Sequence, residues 1–240
     1  FSLLLSFAAI NMKADQTITG TAMNMFVPAL VLLLCKMTFN SDGVTTSLKF
    51  YIKEIEGLSN IPILGDLFFK NTYMTVYIGF AIIAILTVVY YKTSFGLRLR
   101  ACGEHPQAAD SVGINVYKMR WAGVLISGAL GGLGGIVYIT AGVSEWKFEY
   151  GVAGFGFLAL AVMIFGQWKP WKIALAALLF GFFRALSNVY FGFEFLVDLN
   201  IPSGIYNMLP YVISLIVLAF TSKHSRAPKA EGIPYDKGTR

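Results

Sequence analysis

Residues 73–91, YMTVYIGFAIIAILTVVYY, run for nineteen positions without a charge. Wound as a helix the run is about 28 Å long, close to the ~30 Å hydrocarbon core of a bilayer. Inside lipid every backbone N–H and C=O needs a partner within the protein, so only helices and closed barrels can span. An unbroken apolar run without strand alternation selects the helix. Residues 121–143, 173–191 and 205–220 repeat the pattern, and Arg184 is their one charge. Charged residues make up 13% of the chain, against about 25% in soluble domains. The expected fold is all-α, a polytopic transmembrane helix bundle.

Two apolar runs are shorter than a full span. Residues 22–35 hold about 14 residues and include Pro28; either the preceding Thr and Gly residues extend them or the helix is broken. Residues 152–165 open on Gly154-Phe155-Gly156 and end at Gly166-Gln167-Trp168-Lys169-Pro170. With alternating spans the two run in opposite directions, which points to an inverted repeat around a central pathway. Residues 1–10 read as the end of a membrane helix, and the opening at Phe1 within an apolar run suggests a longer N-terminal part. Residues 40–70 form a loop, with IPILGDLF as a candidate interfacial helix. A transmembrane domain over 1–220 is followed by a basic tail, 221–240, whose Pro and Gly suggest mobility.

Lys and Arg are distributed unevenly. With alternating spans, one side holds Lys13, the cluster Lys92, Arg98, Arg100, Lys118 and Arg120, the pair Lys169 and Lys172, and the five basic residues of the tail. The other holds Lys49, Lys53, Lys70 and Lys147. Thirteen of 19 against four makes the first side cytoplasmic. The net charge of +6 thus reports topology and gives no reason to expect a nucleic-acid partner. Cys35 and Cys102 fall on opposite sides, which excludes a disulfide between them.

The longest polar interval between two clear spans is 94–120, SFGLRLRACGEHPQAADSVGINVYKMR. Pro106 stands where a first helical residue belongs and Gly113 where a helix ends. The two turns between them carry Gln107, Ala108, Ala109, Asp110, Ser111 and Val112. So short and small a helix is unstable alone in water, and reads as a docking plug at the membrane surface. The plainer reading is a cytoplasmic loop whose basic residues obey the positive-inside rule.

GLRLRACGEHPQAADSVGINVYKMR, followed by GVLISGALGGLGGIVY, closely resembles the permease subunits of ABC importers of the branched-chain amino acid, ribose and nucleoside group. GFGFLALAVMIFGQWKPW and ADQTITGTAMN match the pattern of the nucleoside and simple-sugar permeases within it. The resemblance implies that 94–120 is the coupling segment that docks on an ATP-binding subunit. On that basis Gly103, Glu104, His105, Pro106, Ala108, Ala109, Gly113 and Ile114 form the coupling site. The family often has Asn at the place of His105, which leaves the contact there open. The resemblance further implies a second permease chain, identical or different, an extracytoplasmic solute-binding protein or lipoprotein, a bacterial plasma-membrane location amid lipid, and no cofactor on this chain, ATP and Mg²⁺ belonging to the partner ATPase.

Other residues suggest a path. Gln16, Thr17, Thr19, Thr21 and Asn24 offer neutral donors and acceptors suited to a hydroxyl-rich solute; capping and helix–helix hydrogen bonds are the plainer use. Arg184 is an intramembrane charge, by default a functional candidate, with Asn188 one turn on; pairing with a carboxylate or carbonyls is the structural alternative. Phe155 and Phe157 could stack on a base or sugar, or simply pack. Gly128 with Gly132, and Gly131 with Gly135, make small-xxx-small packing pairs. GALGGLGG lacks the Lys-Ser/Thr of a phosphate loop. His105 and His224 have no neighbours at metal-ligand spacing. With no catalytic constellation, an embedded enzyme is disfavoured. With no carboxylate inside a span, so is an ion-coupled transporter.

Overall fold

The computed structural model describes residues 1–41, 43–45, 51–54, 70–142, 145–147, 154–189, 192, scattered positions between 205 and 219, and 227–238. The interfacial helix expected at 61–68 lies outside them, as does most of the span expected at 205–220. In chain order come α1 (Ser2–Asn11, its second half wound as a π-helix), α2 (Gln16–Phe39), β1 (Gly43–Thr45), β2 (Tyr51–Glu54), β3 (Lys70–Tyr73), α3 (Met74–Lys92) and α4 (Ser94–Glu104). They are followed by α5 (Pro106–Ser111), α6 (Val116–Val137, prolonged by a π turn), β4 (Glu145–Lys147), α7 (Phe155–Phe165) and α8 (Pro170–Val189). Four helices, α2, α3, α6 and α8, are long and apolar enough to cross a membrane. The fold is the expected helical bundle.

The first of the short runs is resolved as a continuous helix of 24 residues. Asp15 caps it, its carboxylate accepting from the N–H groups of Thr17 (2.8 Å) and Ile18 (3.0 Å). The Thr19 and Thr21 hydroxyls donate to the carbonyls of Asp15 and Thr17. Polar residues that read as a break are therefore the first two turns of the helix, and Pro28 lies within it. The second run stays short, with eleven residues in α7.

The chain forms two compact units, Phe1–Ala153 with Pro228–Arg240, and Gly154–Ala227. In the first, β1 pairs antiparallel with β4 through Gly43 and Lys147, joining the ends of α2 and α6. β2 pairs with β3 just before α3 begins. At the other ends of these helices the Trp121 indole donates to Asn11 Oδ1 at 2.9 Å. The turn 11–15, α4, α5 and the start of α6 thus share one end of the unit.

Glycine sets several close approaches here, Gly96 of α4 against the Val89 and Tyr90 carbonyls of α3 among them. A Cβ on Gly128 would strike the Ser2 side chain of α1, and one on Gly123 would lie 3.3 Å from Leu99 of α4. Gly131, Gly132 and Gly135 meet nothing within 4 Å. Of the four glycines expected to pack, only Gly128 does so among the described residues. Gly128→Leu is expected to destabilise the protein by about 1–3 kcal/mol through overpacking, and Gly131→Leu to be neutral. Thermal unfolding in detergent checks the pair.

In the second unit α7 and α8 form a hairpin around Val162, Ala176 and Phe180. Its corner is Gly166, Gln167 and Trp168, the last two with φ of 53° and 55°. A Cβ at Gly166 would run into the backbone of Ile173, 2.6 Å away, so only glycine fits.

Candidate functional site

The polar interval is more ordered than a loop carrying one plug. It holds an 11-residue helix, α4, which sequence reading missed, then α5, then the first turn and more of α6. Thr93 caps α4, accepting from the Gly96 N–H at 3.2 Å. His105 ends α4 and begins α5, at φ −142° and ψ 86°. That extended backbone is what a residue preceding proline favours, and the imidazole is exposed and makes no capping bond to α5. Pro106 occupies the first turn as its spacing predicts.

Gly113 ends α5 with φ +84°. Its N–H donates to the Asp110 carbonyl and that of Ile114 to the Ala109 carbonyl, both at 3.0 Å. This is a Schellman closure, and it needs a residue tolerant of left-handed backbone. Asn115 then caps α6 by accepting from the Lys118 N–H at 3.0 Å. Local chemistry thus defines both ends of α5.

The two alanines of α5 face opposite ways. Ala109 is 3% exposed, in a cluster with Cys102, Val116 and Tyr235, and Ile114 packs on its edge. Ala108 is exposed, as are Glu104, His105, Gln107, Ser111 and Gly113, and Val112 is 75% exposed. α5 therefore has a buried side that rests on its own chain and an open side. Gly103 borders that open side, and its carbonyl accepts from the Ala230 N–H at 2.9 Å.

Ala230 and Tyr235 belong to the tail, which packs where mobility was expected. Arg120 Nη1 donates to the Ile233 carbonyl at 2.8 Å, and its guanidinium lies 5.9 Å from the Tyr235 ring centroid. Tyr117 meets that ring edge-on at 5.4 Å. Lys13 pairs with Asp236 at 2.8 Å, and Lys237 approaches Asp110 at 3.9 Å. The hydrogen bond between them raises the Lys13 pKa and lowers that of Asp236, both favouring the charged pair. Exposed ion pairs contribute little. Burial of the Tyr235 ring, about 2 kcal/mol on general grounds, is the larger hold. Burial also pushes the Cys102 thiol up, so it stays protonated and acts as an apolar filler.

Two of the basic residues flanking α5 are engaged within the chain. Arg120 holds the tail, and Arg100 lies 5.4 and 5.3 Å from the Tyr90 and Tyr91 rings. Arg98 and Lys118 are exposed.

The path candidates divide between the units. On α2, Thr17 and Asn24 are two turns apart and share a face with Gln16 and Gly20, while the Thr19 hydroxyl is spent on its own helix. In the second unit Arg184 lies over the Phe155 ring at 5.4 Å. Among the described residues that ring is the neighbour seen for the guanidinium. Asn188 is exposed on α8, and Phe157 is 72% exposed. Sequence reading named both Arg184 and Phe155 without joining them. It missed Tyr235 and the Asn11–Trp121 and Lys13–Asp236 links, because nothing local marks a residue for a partner more than a hundred positions away. No group of three or more His, Cys, Asp or Glu able to hold a metal occurs among the described residues.

The family described as "Branched-chain amino acid transport system / permease component" matches residues 1–220. The chain is 42% identical to the guanosine ABC transporter permease protein NupQ of Bacillus subtilis, over all of this chain and 75% of that protein. It is 41% identical to the nucleoside ABC transporter permease protein NupC of Lactococcus lactis, over 99% of this chain and 74% of that one. A putative glucose ABC transporter permease protein of Haloferax volcanii, TsgC13, is 27% identical over 90% of the chain and 69% of its own length. No solved structure matches significantly.

Proposed function

We propose that this chain, which belongs to the branched-chain amino acid transport system permease family, carries a nucleoside across the membrane as the permease subunit of an ATP-driven importer. The observation behind the cargo is full-length identity above 40% to relatives named for guanosine and nucleosides. Behind the energy source is α5, capped at both ends, open on one side and set between α3–α4 and α6. A helix so placed passes a push from a docked ATPase to two spans. The end of the first unit bearing α4, α5 and the tail faces the cytoplasm on this reading, in accord with its basic residues. ATP and Mg²⁺ stay on the ATP-binding subunit. A second permease chain completes the pathway, and a solute-binding protein or lipoprotein delivers cargo in the bacterial plasma membrane.

The polar face of α2 and the Arg184–Phe155 pair are the assigned path residues. Hydroxyl and amide groups suit ribose hydroxyls, and a guanidinium over a ring offers a flat, donor-rich surface to a base. Cells expressing the full transporter are expected to take up labelled guanosine or uridine, and to lose uptake when this chain is deleted. Uptake should survive an uncoupler while ATP is maintained. Uptake that collapses with the proton gradient at constant ATP would sink the ATP-driven reading. A simple sugar is the second reading, favoured by the likeness to the Haloferax protein. Competition by excess glucose or ribose, with none by nucleosides, would select it.

A further inference from the structure

We infer that the C-terminal segment 228–238 is a strap that positions the coupling helix α5, with Tyr235 as its anchor. The inference rests on the coupling reading of α5 and extends it to a part of the chain beyond the family match, which ends at residue 220.

A six-residue helix does not hold itself together, and α5 has one buried side only. That side is Pro106 and Ala109, and the cluster beneath Ala109 is closed by Tyr235, 5% exposed, with Cys102 and Val116. The strap is fixed to elements on every side of α5. Ala230 donates to the carbonyl of Gly103 at the end of α4, and the Ile233 carbonyl accepts from Arg120 of α6. Asp236 pairs with Lys13 in the turn before α2. Lys237 approaches Asp110 on α5 itself. The turn before α2, α4, α5 and α6 are thereby all tied to one segment more than a hundred residues away in sequence.

Mechanical coupling needs such a floor. A push on the open side of α5 moves α3, α4 and α6 only if α5 cannot sink or tilt. With the Tyr235 ring in place the push reaches the spans; with it removed, α5 yields locally and the ATPase cycles without moving solute. Tyr235 is thus a positioning residue that acts through Ala109 and never meets the ATPase or the cargo.

The test uses the complete transporter in proteoliposomes, with Tyr235→Phe, Tyr235→Leu and Tyr235→Ala. Three quantities are read: co-purification of the ATP-binding subunit, hydrogen exchange at the amides of 106–111, and labelled guanosine moved per ATP hydrolysed. The Phe variant keeps the ring and should match the parent. In the Leu and Ala variants exchange in α5 should quicken by about tenfold or more, with α3 unchanged and the ATPase subunit still bound. Solute per ATP should fall about tenfold, as a loosened element loses its coupling. Should the Ala variant fail to fold, the Leu variant, which fills the cluster without a ring, carries the comparison. Unchanged exchange in α5 overturns the strap. Faster exchange with unchanged solute per ATP refutes the coupling role of α5, and the positioning role with it. Loss of the ATPase subunit from both variants would make the segment an assembly element and overturn the inference.

Discussion

Ala108→Trp should abolish nucleoside uptake, by about a hundredfold, in a permease that folds and inserts normally. Ala108 is on the open side of α5, beside Gln107, Ser111 and Val112, and is itself exposed. On the proposed docking, a bulky ring there obstructs the cleft of the ATP-binding subunit that receives α5. Losing a central interface contact costs on the order of 2–4 kcal/mol, which gives the expected loss. Ala109→Trp is a different experiment despite being one residue away. Ala109 is packed against Tyr235, Cys102 and Val116, so the added ring overpacks a core at a cost of about 1–3 kcal/mol or more. Its first symptom should be a lower melting temperature of the isolated permease. A double replacement would mix the two effects. Uptake, co-purification of the ATPase and melting temperature, read on each single variant, separate them. Normal uptake by Ala108→Trp would show that the open side of α5 docks nothing.

The second large effect is expected at Arg184. Arg184→Gln should lower uptake by about thirtyfold, corresponding to about 2 kcal/mol for a cation–ring contact away from water. The guanidinium lies over Phe155, and a charge within a span is retained at a cost that function must justify. Arg184→Lys keeps the charge and loses the planar face, so an intermediate loss is expected. If the pair lines the path, the half-saturating solute concentration rises in both variants and the melting temperature stays within a few degrees. Uptake within twofold of the parent, together with a lowered melting temperature, would make Arg184 a packing residue of the α7–α8 hairpin.

The parts of the site that were legible in sequence are those fixed by neighbours in the chain. Pro106 and Gly113 bounded α5 because a missing N–H and a left-handed backbone are properties of single residues. Gly154 before α7 follows the same logic. The start of α2 was misread in part because Asp15, Thr17, Thr19 and Thr21 look like a polar break. Their hydrogen bonds to the helix backbone let them begin a membrane helix. α4 escaped notice because SFGLRLRACGE is short and half charged or small, although Thr93 before it is an ordinary cap. Gly128, Gly131, Gly132 and Gly135 of α6 advertised close packing, but only the facing helix decides which of these four is used, and among the described residues it is Gly128 against Ser2.

The sequence by itself determined four of the spans, the boundaries of α5, the uneven placement of Lys and Arg, and the family. Apolar run length, backbone restriction and net charge act over a few residues or simply add along the chain. Only the tertiary structure decided which alanine of α5 is exposed, that Arg184 meets Phe155, and that residues of the tail lie beneath α5. A Tyr in a polar, Pro- and Gly-containing tail carries no local mark of burial. Its place is set by an apolar hollow between Cys102, Ala109 and Val116, which exists only once α4, α5 and α6 have packed.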